Sequence, residues 1–295
     1  MVLKKVFLTG CSGLVGRHIY FKLLKENFSI CCVSRSKPSF VKKKHWTYLD
    51  LKKIYNYNYY LKKFENISYI VHVAAQLPKN RINIKKKDYT NINYKPTKLL
   101  VKWALKKKLR MIYLSGTIVS KENFRNFKTS IENIKYLKSK LLVENYLLKQ
   151  KFRGLKVIIV RATSIFGWGL GKDKIIMKLL NFKKKNFNID FKYNYLYDFI
   201  HAYDVARLIV CIIKKKIMLD IVSIGGIKLN IVSLVKKIFN FKNKKINIIN
   251  LNNSRNAKLV NIYKYSNKNL QRINFKRIIS FKKGLELLSK KKAFE

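Results

Sequence analysis

Through its first half the chain alternates short apolar runs with longer amphipathic ones. That is the pattern of a parallel sheet whose strands are joined by crossover helices. The apolar runs predict strands at Lys5–Thr9, Ser29–Val33, Tyr69–Val73, Met111–Leu114 and Val157–Val160. Amphipathic spacing predicts helices over Leu14–Glu26, around Tyr94–Lys107 and around Lys135–Lys149. After Gly167 the alternation loosens into shorter elements at Lys174–Leu180, Tyr203–Lys214, Ile221–Ile224 and Ile231–Phe239. The Lys- and Asn-rich stretch Asn240–Asn256 reads as a surface excursion. No internal repeat or clear linker interrupts the chain. The expected class is α/β, a doubly wound parallel sheet over residues 1–166 with a smaller C-terminal lobe over 167–295, from which 198–225 returns to the first domain.

The first strand–helix junction carries candidate chemistry. The stretch VFLTGCSGLVGRHI runs from strand into helix through Thr9, Gly10, Ser12, Gly13, Leu14, Val15 and Gly16, and three of the eleven glycines fall within seven residues. Glycine there lets the backbone approach a pyrophosphate seated on a helix N-terminus, whereas the bland alternative is a simple tight turn. The flanking strand and helix favour a Rossmann-type phosphate turn. At the end of the second strand, CCVSRSK offers Ser34, Arg35 and Lys37 where an acid would bind the ribose diol of NAD. Hydroxyl and positive groups suit a 2′-phosphate, so NADP is favoured over NAD; the alternative is that Arg35 is one more solvated charge.

Composition changes this picture little. Hydrophobic residues make up 48 %, enough for a sizeable core. The net charge of +52 would ordinarily point to nucleic acid or an anionic membrane. Yet 55 of the 66 basic residues are Lys, spread from end to end, and Arg, the better residue for bidentate phosphate contacts, is scarce. Abundant Lys, Asn, Ile, Phe and Tyr beside 3 Pro and 11 Gly point to compositional drift, with no nucleic-acid partner. Cys11, Cys31, Cys32 and Cys211 show no metal-ligand spacing, which fits a reducing cytoplasm. The Leu8–Cys11 stretch LTGC looks like a lipoprotein cleavage site, but the apolar run before it is far too short. No membrane span is expected.

Tyrosine precedes lysine by four residues four times, at Tyr48/Lys52, Tyr59/Lys63, Tyr94/Lys98 and Tyr136/Lys140. Spacing alone chooses none of them. The glycine turn followed far downstream by YLKSKLLVE resembles the extended short-chain dehydrogenase/reductase superfamily, and within it the NAD-dependent epimerase/dehydratase family of nucleotide-sugar enzymes. Further stretches stand in the family's order. LDL with Asp50 and Leu51 resembles the adenine-side Asp-Leu, and VHVAAQ, with Val73, Ala74, Ala75 and Gln76, resembles the His-x-Ala-Ala segment along the cofactor. NYKPT with Asn93 resembles Asn-x-x-Gly-Thr. RMIYLSG, VRATSIFGWG, YDFIHAYDVA and ISFKKGLELL complete the series.

The resemblance implies roles. Tyr136 would exchange a proton with a sugar oxygen, its phenolate stabilised by Lys140 one helical turn away, and Lys140 would also hold the nicotinamide ribose. The family's catalytic hydroxyl usually falls where Gly116 stands, so either Ser115 or Thr117 supplies it, with Ser115 preferred as a strand-end residue. Sugar 4,6-dehydratases carry Thr-Asp-Glu here, while Gly116-Thr117-Ile118 has no carboxylate, which disfavours dehydration. On the substrate side Tyr197 replaces an Arg and Ser164 an Asn, with Gln76 and Arg161 as further candidate contacts. Asp198 and Asp204 read as structural, and His72 and His201 as packing residues. The implied function is 4-keto reduction or C4 epimerisation of a nucleotide-activated deoxysugar by a homodimer, paired through the helices around 94–107 and 135–149. The alternatives are a catalytically silent nucleotide-binding subunit of the same fold and, more remotely, a nucleic-acid binder.

Overall fold

The computed structural model describes residues 4–51, 64–78, 89–120, 131–189, 194–250, 259–261 and 263–291. The Tyr59/Lys63 pair, Lys52 and residues 251–256 lie outside them. The chain begins with β1 (Lys5–Thr9), α1 (Leu14–Lys25), β2 (Ser29–Ser34), β3 (Trp46–Tyr48), β4 (Ile67–His72), α2 (Lys95–Lys106), β5 (Arg110–Gly116), α3 (Ile131–Lys151) and β6 (Lys156–Ala162). It continues with β7 (Ser164–Phe166), α4 (Ile175–Leu180), β8 (Asn186–Ile189), β9 (Asn194–His201), α5 (Ala202–Lys214) and β10 (Ile221–Ile224). Last come β11 (Ile227–Leu229), α6 (Ile231–Phe241), β12 (Asn247–Asn250), β13 (Leu259–Asn261), α7 (Lys268–Arg272) and α8 (Phe281–Ser289).

Seven strands make one sheet in the order β10-β6-β5-β4-β1-β2-β3, with every neighbouring pair parallel. Alternation along each strand loads both faces, as a sheet covered on both sides requires. In β1, Val6 and Leu8 join the core shared with Ile19 and Leu23 of α1 and Leu208, Ile209 and Ile212 of α5. Phe7 points the other way, into the core with Leu100 and Trp103 of α2 and Val143 and Leu147 of α3. The chain runs outward through β2 and β3, then returns to the other side of β1 at β4. That reversal opens a crevice beyond the carboxyl ends of β1 and β4, where ligands bind in folds of this type.

A third apolar cluster sits beyond the main sheet. Phe166, Leu179, Phe199, Leu234, Ile238 and Leu285 are buried together around β9, which pairs with β7, β11 and β13. The stretch read as a surface excursion is not all irregular: β12 lies within it and pairs parallel with β8 from Asn247 to Asn250. Polar Asn residues at both ends of that strand hide it from a hydrophobicity reading.

Two buried carboxylates tie the parts together. Asp198 accepts hydrogen bonds from Thr163 Oγ1 (3.2 Å), the Gly226 amide (2.5 Å) and the Tyr265 hydroxyl (2.7 Å). Asp204 accepts from the Ile278 and Ile279 amides, both at 3.1 Å, and from Arg207. The α5 N-terminus is capped by His201, whose Nδ1 accepts from the Tyr203 amide at 3.2 Å, while Asp204 sits in the first turn. Among the described residues no helix is long and apolar enough to cross a membrane.

Candidate active site

The glycine turn closes on itself. Gly10 takes φ +73°, a left-handed conformation in which side chains are strained, and its carbonyl accepts from the Gly13 amide at 3.0 Å. A Cβ at Gly16 would lie 2.1 Å from that same carbonyl, so the third glycine lets α1 pack directly on the turn. Gly13 caps α1 with no side-chain hydrogen bond. The first amides of the helix therefore face the crevice, a donor array with the positive end of the helix dipole behind it. Arg17 braces the turn from outside, donating from Nη2 to the Ser12 carbonyl at 3.1 Å and lying over the rings of Phe40 and Trp168.

From this turn a cleft of about 630 Å³ runs across the sheet edge. Ser34, Arg35, Asp50 and Leu51 line its β2 end. Val73, Ala74, Ala75 and Gln76 line its middle, after β4. Ser115, Tyr136 and Lys140 line the part beyond β5, and Ser164 lies further on with Phe166, Lys174, Ile176 and Phe199. The last three were not singled out in the sequence; Lys174, at the start of a predicted helix, was the one visible signal.

Six predicted residues do not line the cleft, among them Lys37, whose Nζ donates to the Val41 carbonyl at 3.2 Å. Thr9 lies beneath the cleft, its hydroxyl hydrogen-bonded to His72 Nδ1 at 2.7 Å and accepting from the Ala74 amide at 3.3 Å. Asn93 is buried in a π-helical turn, Thr90–Tyr94, that leads into α2. Its Oδ1 accepts from the Gln76 amide at 2.6 Å, and its Nδ2 donates to Ser139 Oγ at 2.9 Å. Ser139 in turn donates to the Tyr136 carbonyl at 2.7 Å, so Asn93 joins the Gln76 loop to the Tyr136 helix. Thr117 is buried in a short turn after β5.

Arg161 is paired with Glu144. Its Nε donates to the two oxygens of buried Glu144 at 3.2 and 3.1 Å, and its Nη2 completes the pair. A fork that satisfied leaves little for a ligand. Tyr197 sits partly buried against the C-terminal cluster, 6.1 Å from Phe199 in a stacked arrangement. Neither Arg161 nor Tyr197, both expected as substrate contacts, is among the residues that line the cleft.

At the centre, α3 carries Tyr136 and Lys140 on one face. Lys140 is buried, and its Nζ donates to the Leu114 carbonyl at 2.6 Å and lies 4.1 Å from the Tyr113 ring centroid. Burial pulls its pKa down to about 7, with Glu144 opposing the shift. Burial pushes Tyr136 up to about 12, helped by Tyr89. Burial and Tyr89 thus push the phenol in the direction opposite to the lowering expected from a nearby ammonium. Ser115 Oγ is buried and makes no hydrogen bond among the described residues, a donor left over at the cleft wall. His72 packs between two hydroxyls, Thr9 and Thr97, with its pKa brought to about 3 by burial and Lys140.

The NAD dependent epimerase/dehydratase family model matches residues 6–225. The chain belongs to that family. It is 25 % identical to CDP-abequose synthase of Salmonella muenchen over 222 residues, 72 % of this chain and 71 % of that protein. Among solved structures it is similar to UDP-N-acetylglucosamine 4-epimerase from Bacillus cereus, with a TM-score of 0.76 at 16 % identity over 96 % of this chain and 94 % of that one. It is likewise similar to dTDP-glucose 4,6-dehydratase from Bacillus anthracis in complex with NAD, with a TM-score of 0.75 at 16 % identity over 98 % and 96 % of the two chains. At such identities the structural likeness shows the fold alone. The family's cofactor fits the residues present. The glycine cradle at 10, 13 and 16 admits no Cβ at Gly10 or Gly16 without a clash, the α1 amides face the cleft, and Ser115 Oγ is left without a partner among the described residues.

Proposed function

We propose that this chain is an NAD(P)-dependent enzyme of nucleotide-activated deoxysugars, acting at C4 by 4-keto reduction or C4 epimerisation. The observation that carries the proposal is the meeting of Ser115, Tyr136 and Lys140 in one cleft that begins at the phosphate turn. The nicotinamide would supply or accept the hydride. The turn amides and Ser12 would hold its pyrophosphate, Asp50 and Leu51 its adenine side, and Lys140 its ribose. Tyr136 gives a proton to the C4 oxygen during reduction, or takes one in the reverse sense, and Ser115 Oγ donates a hydrogen bond to the same oxygen. A phenol near 12 is protonated at neutral pH, which supports the reducing direction.

The absence of a carboxylate in Gly116-Thr117-Ile118 supports reduction or epimerisation over dehydration. NADP is favoured because Arg35 is exposed at the adenosine end; the Ser34 hydroxyl, engaged with Ser36 O at 2.6 Å and Trp46 Nε1 at 2.9 Å, adds nothing to that preference. The similarity to CDP-abequose synthase places CDP-linked sugars among the first substrates to try. The outer faces of α2 and α3 leave Leu99, Leu105 and Tyr146 only partly covered and Leu142 exposed, which supports pairing as a homodimer.

Purified protein given NADPH or NADH and a panel of UDP-, dTDP- and CDP-linked 4-keto sugars tests the reading. Net NADPH oxidation identifies a reductase. Inversion of a nucleotide hexose without net cofactor change identifies an epimerase. Neither activity, or undiminished turnover by Tyr136→Phe, would refute the proposal.

A further inference from the structure

The far end of the cleft is completed by a segment that sequence reading passed over. β13 pairs parallel with β9, placing Asn261 opposite Leu196, and the chain then delivers Tyr263 and Tyr265 to two adjacent cleft residues. Tyr263 OH and Ser164 Oγ lie 2.6 Å apart. Tyr265 OH donates to Asp198, and Thr163 Oγ1 donates to the other oxygen of that carboxylate. Thr163 and Ser164 are thus both oriented from the C-terminal side by a tyrosine, one directly and one through Asp198. Tyr263 is buried, with 7 % of its surface exposed, and does not itself line the cleft.

We infer that Tyr263 is a positioning residue that sets Ser164 as a hydrogen-bond donor toward the substrate. Of the two hydroxyls the phenol is the stronger acid, so it donates to Ser164 Oγ, which leaves the serine proton free to point into the cleft. Without the phenol, Ser164 rotates freely and donates to its own surroundings as readily as to a ligand. The partner so recognised is an oxygen acceptor of the substrate, a phosphoryl, carbonyl or hydroxyl oxygen. The inference rests on the proposed nucleotide-sugar reading of this cleft.

The test is calorimetric binding of UDP-, dTDP- and CDP-glucose to protein saturated with NADP, for wild type, Tyr263→Phe, Ser164→Ala and the double variant. Loss of one oriented hydrogen bond predicts about a fivefold weaker Kd for the tightest of the three in Tyr263→Phe. The same substitution made in the Ser164→Ala background should cost nothing further, because the phenol acts only through the serine. Cofactor Kd should stay at the wild-type value. Unchanged sugar-nucleotide affinity in Tyr263→Phe, or losses that simply add in the double variant, overturns the inference alone. Wild-type protein that binds NADP but none of the three overturns the substrate reading and this inference with it.

Discussion

Lys140 Nζ is bonded to the carbonyl of Leu114, the residue immediately before Ser115, at 2.6 Å. One hydrogen bond therefore fixes the Tyr136 helix against the strand end that supplies the candidate hydroxyl. The cost is a buried ammonium, brought down from 10.5 to about 7. Below about pH 7 both folded and unfolded chains hold this proton. Between about 7 and 10.5 only the unfolded chain does, so this group's burden on folding is relieved as pH rises through that window. In urea titrations from pH 6.5 to 9.5, wild type should gain stability relative to Lys140→Met. A difference that stays constant with pH would contradict the shift.

Ser115 and Thr117 are separated by position. Ser115 lines the cleft and Thr117 is buried in the turn behind it. Ser115→Ala should lower kcat by about 10²-fold, the typical worth of one donor to a developing oxyanion, with cofactor affinity kept. Thr117→Ala should leave kcat within about threefold and show its effect in thermal stability. Steady-state kinetics on both variants decide the assignment, and the reverse ranking would move the hydroxyl to Thr117.

The Arg161–Glu144 pair predicts a stability effect with no matching change in substrate affinity. Glu144 is 1 % exposed and Arg161 19 %, so removing the guanidinium strands a buried carboxylate. Arg161→Ala should cost about 3–5 kcal/mol in urea unfolding. KM should stay at the wild-type value. A raised KM with normal stability would restore Arg161 as a substrate contact.

Three buried histidines set the acid limit. Burial, aided by neighbouring positive charge for His18 and His72, holds those two near 3, and burial holds His201 near 4, all from an ordinary 6.5. Each stays neutral in the folded chain while its unfolded counterpart takes a proton. Stability present above pH 6.5 is therefore lost as pH falls toward 4, with a slope approaching three protons. A fluorescence-monitored urea midpoint that is flat from pH 7 to 5 would count against this.

Much of the nucleotide half was legible because its physics is local. Apolar runs such as Val6–Leu8 and Ile158–Val160, short and bounded by turn or charged residues, read as buried strands, and the glycines at 10, 13 and 16 announce a turn that side chains would block. Tyr136 and Lys140 were legible only through their place in a series, since four Tyr–Lys pairs share the spacing. The far end was hidden for a physical reason. Tyr263 reaches Ser164 across 99 residues of chain, and no periodicity encodes such a contact. The partner of Arg161 was hidden for a similar reason. A charge read from sequence looks available until its partner, here Glu144 on another element, is placed beside it. The short strands β8 and β12, paired with each other, carry too few apolar residues between their asparagines to stand out as strands.

The interleaved topology also orders events during synthesis. Once β6 is made, the strands that frame the phosphate turn are all in the chain, whereas Tyr263 follows about a hundred residues later. A nascent chain can thus build its dinucleotide turn well before it can build the far wall of the cleft. Until Tyr265 reaches Asp198 and the Ile278 and Ile279 amides reach Asp204, two carboxylates destined for burial must stay hydrated. Residues 265–279 thus take both carboxylates out of water and join the two ends of the fold.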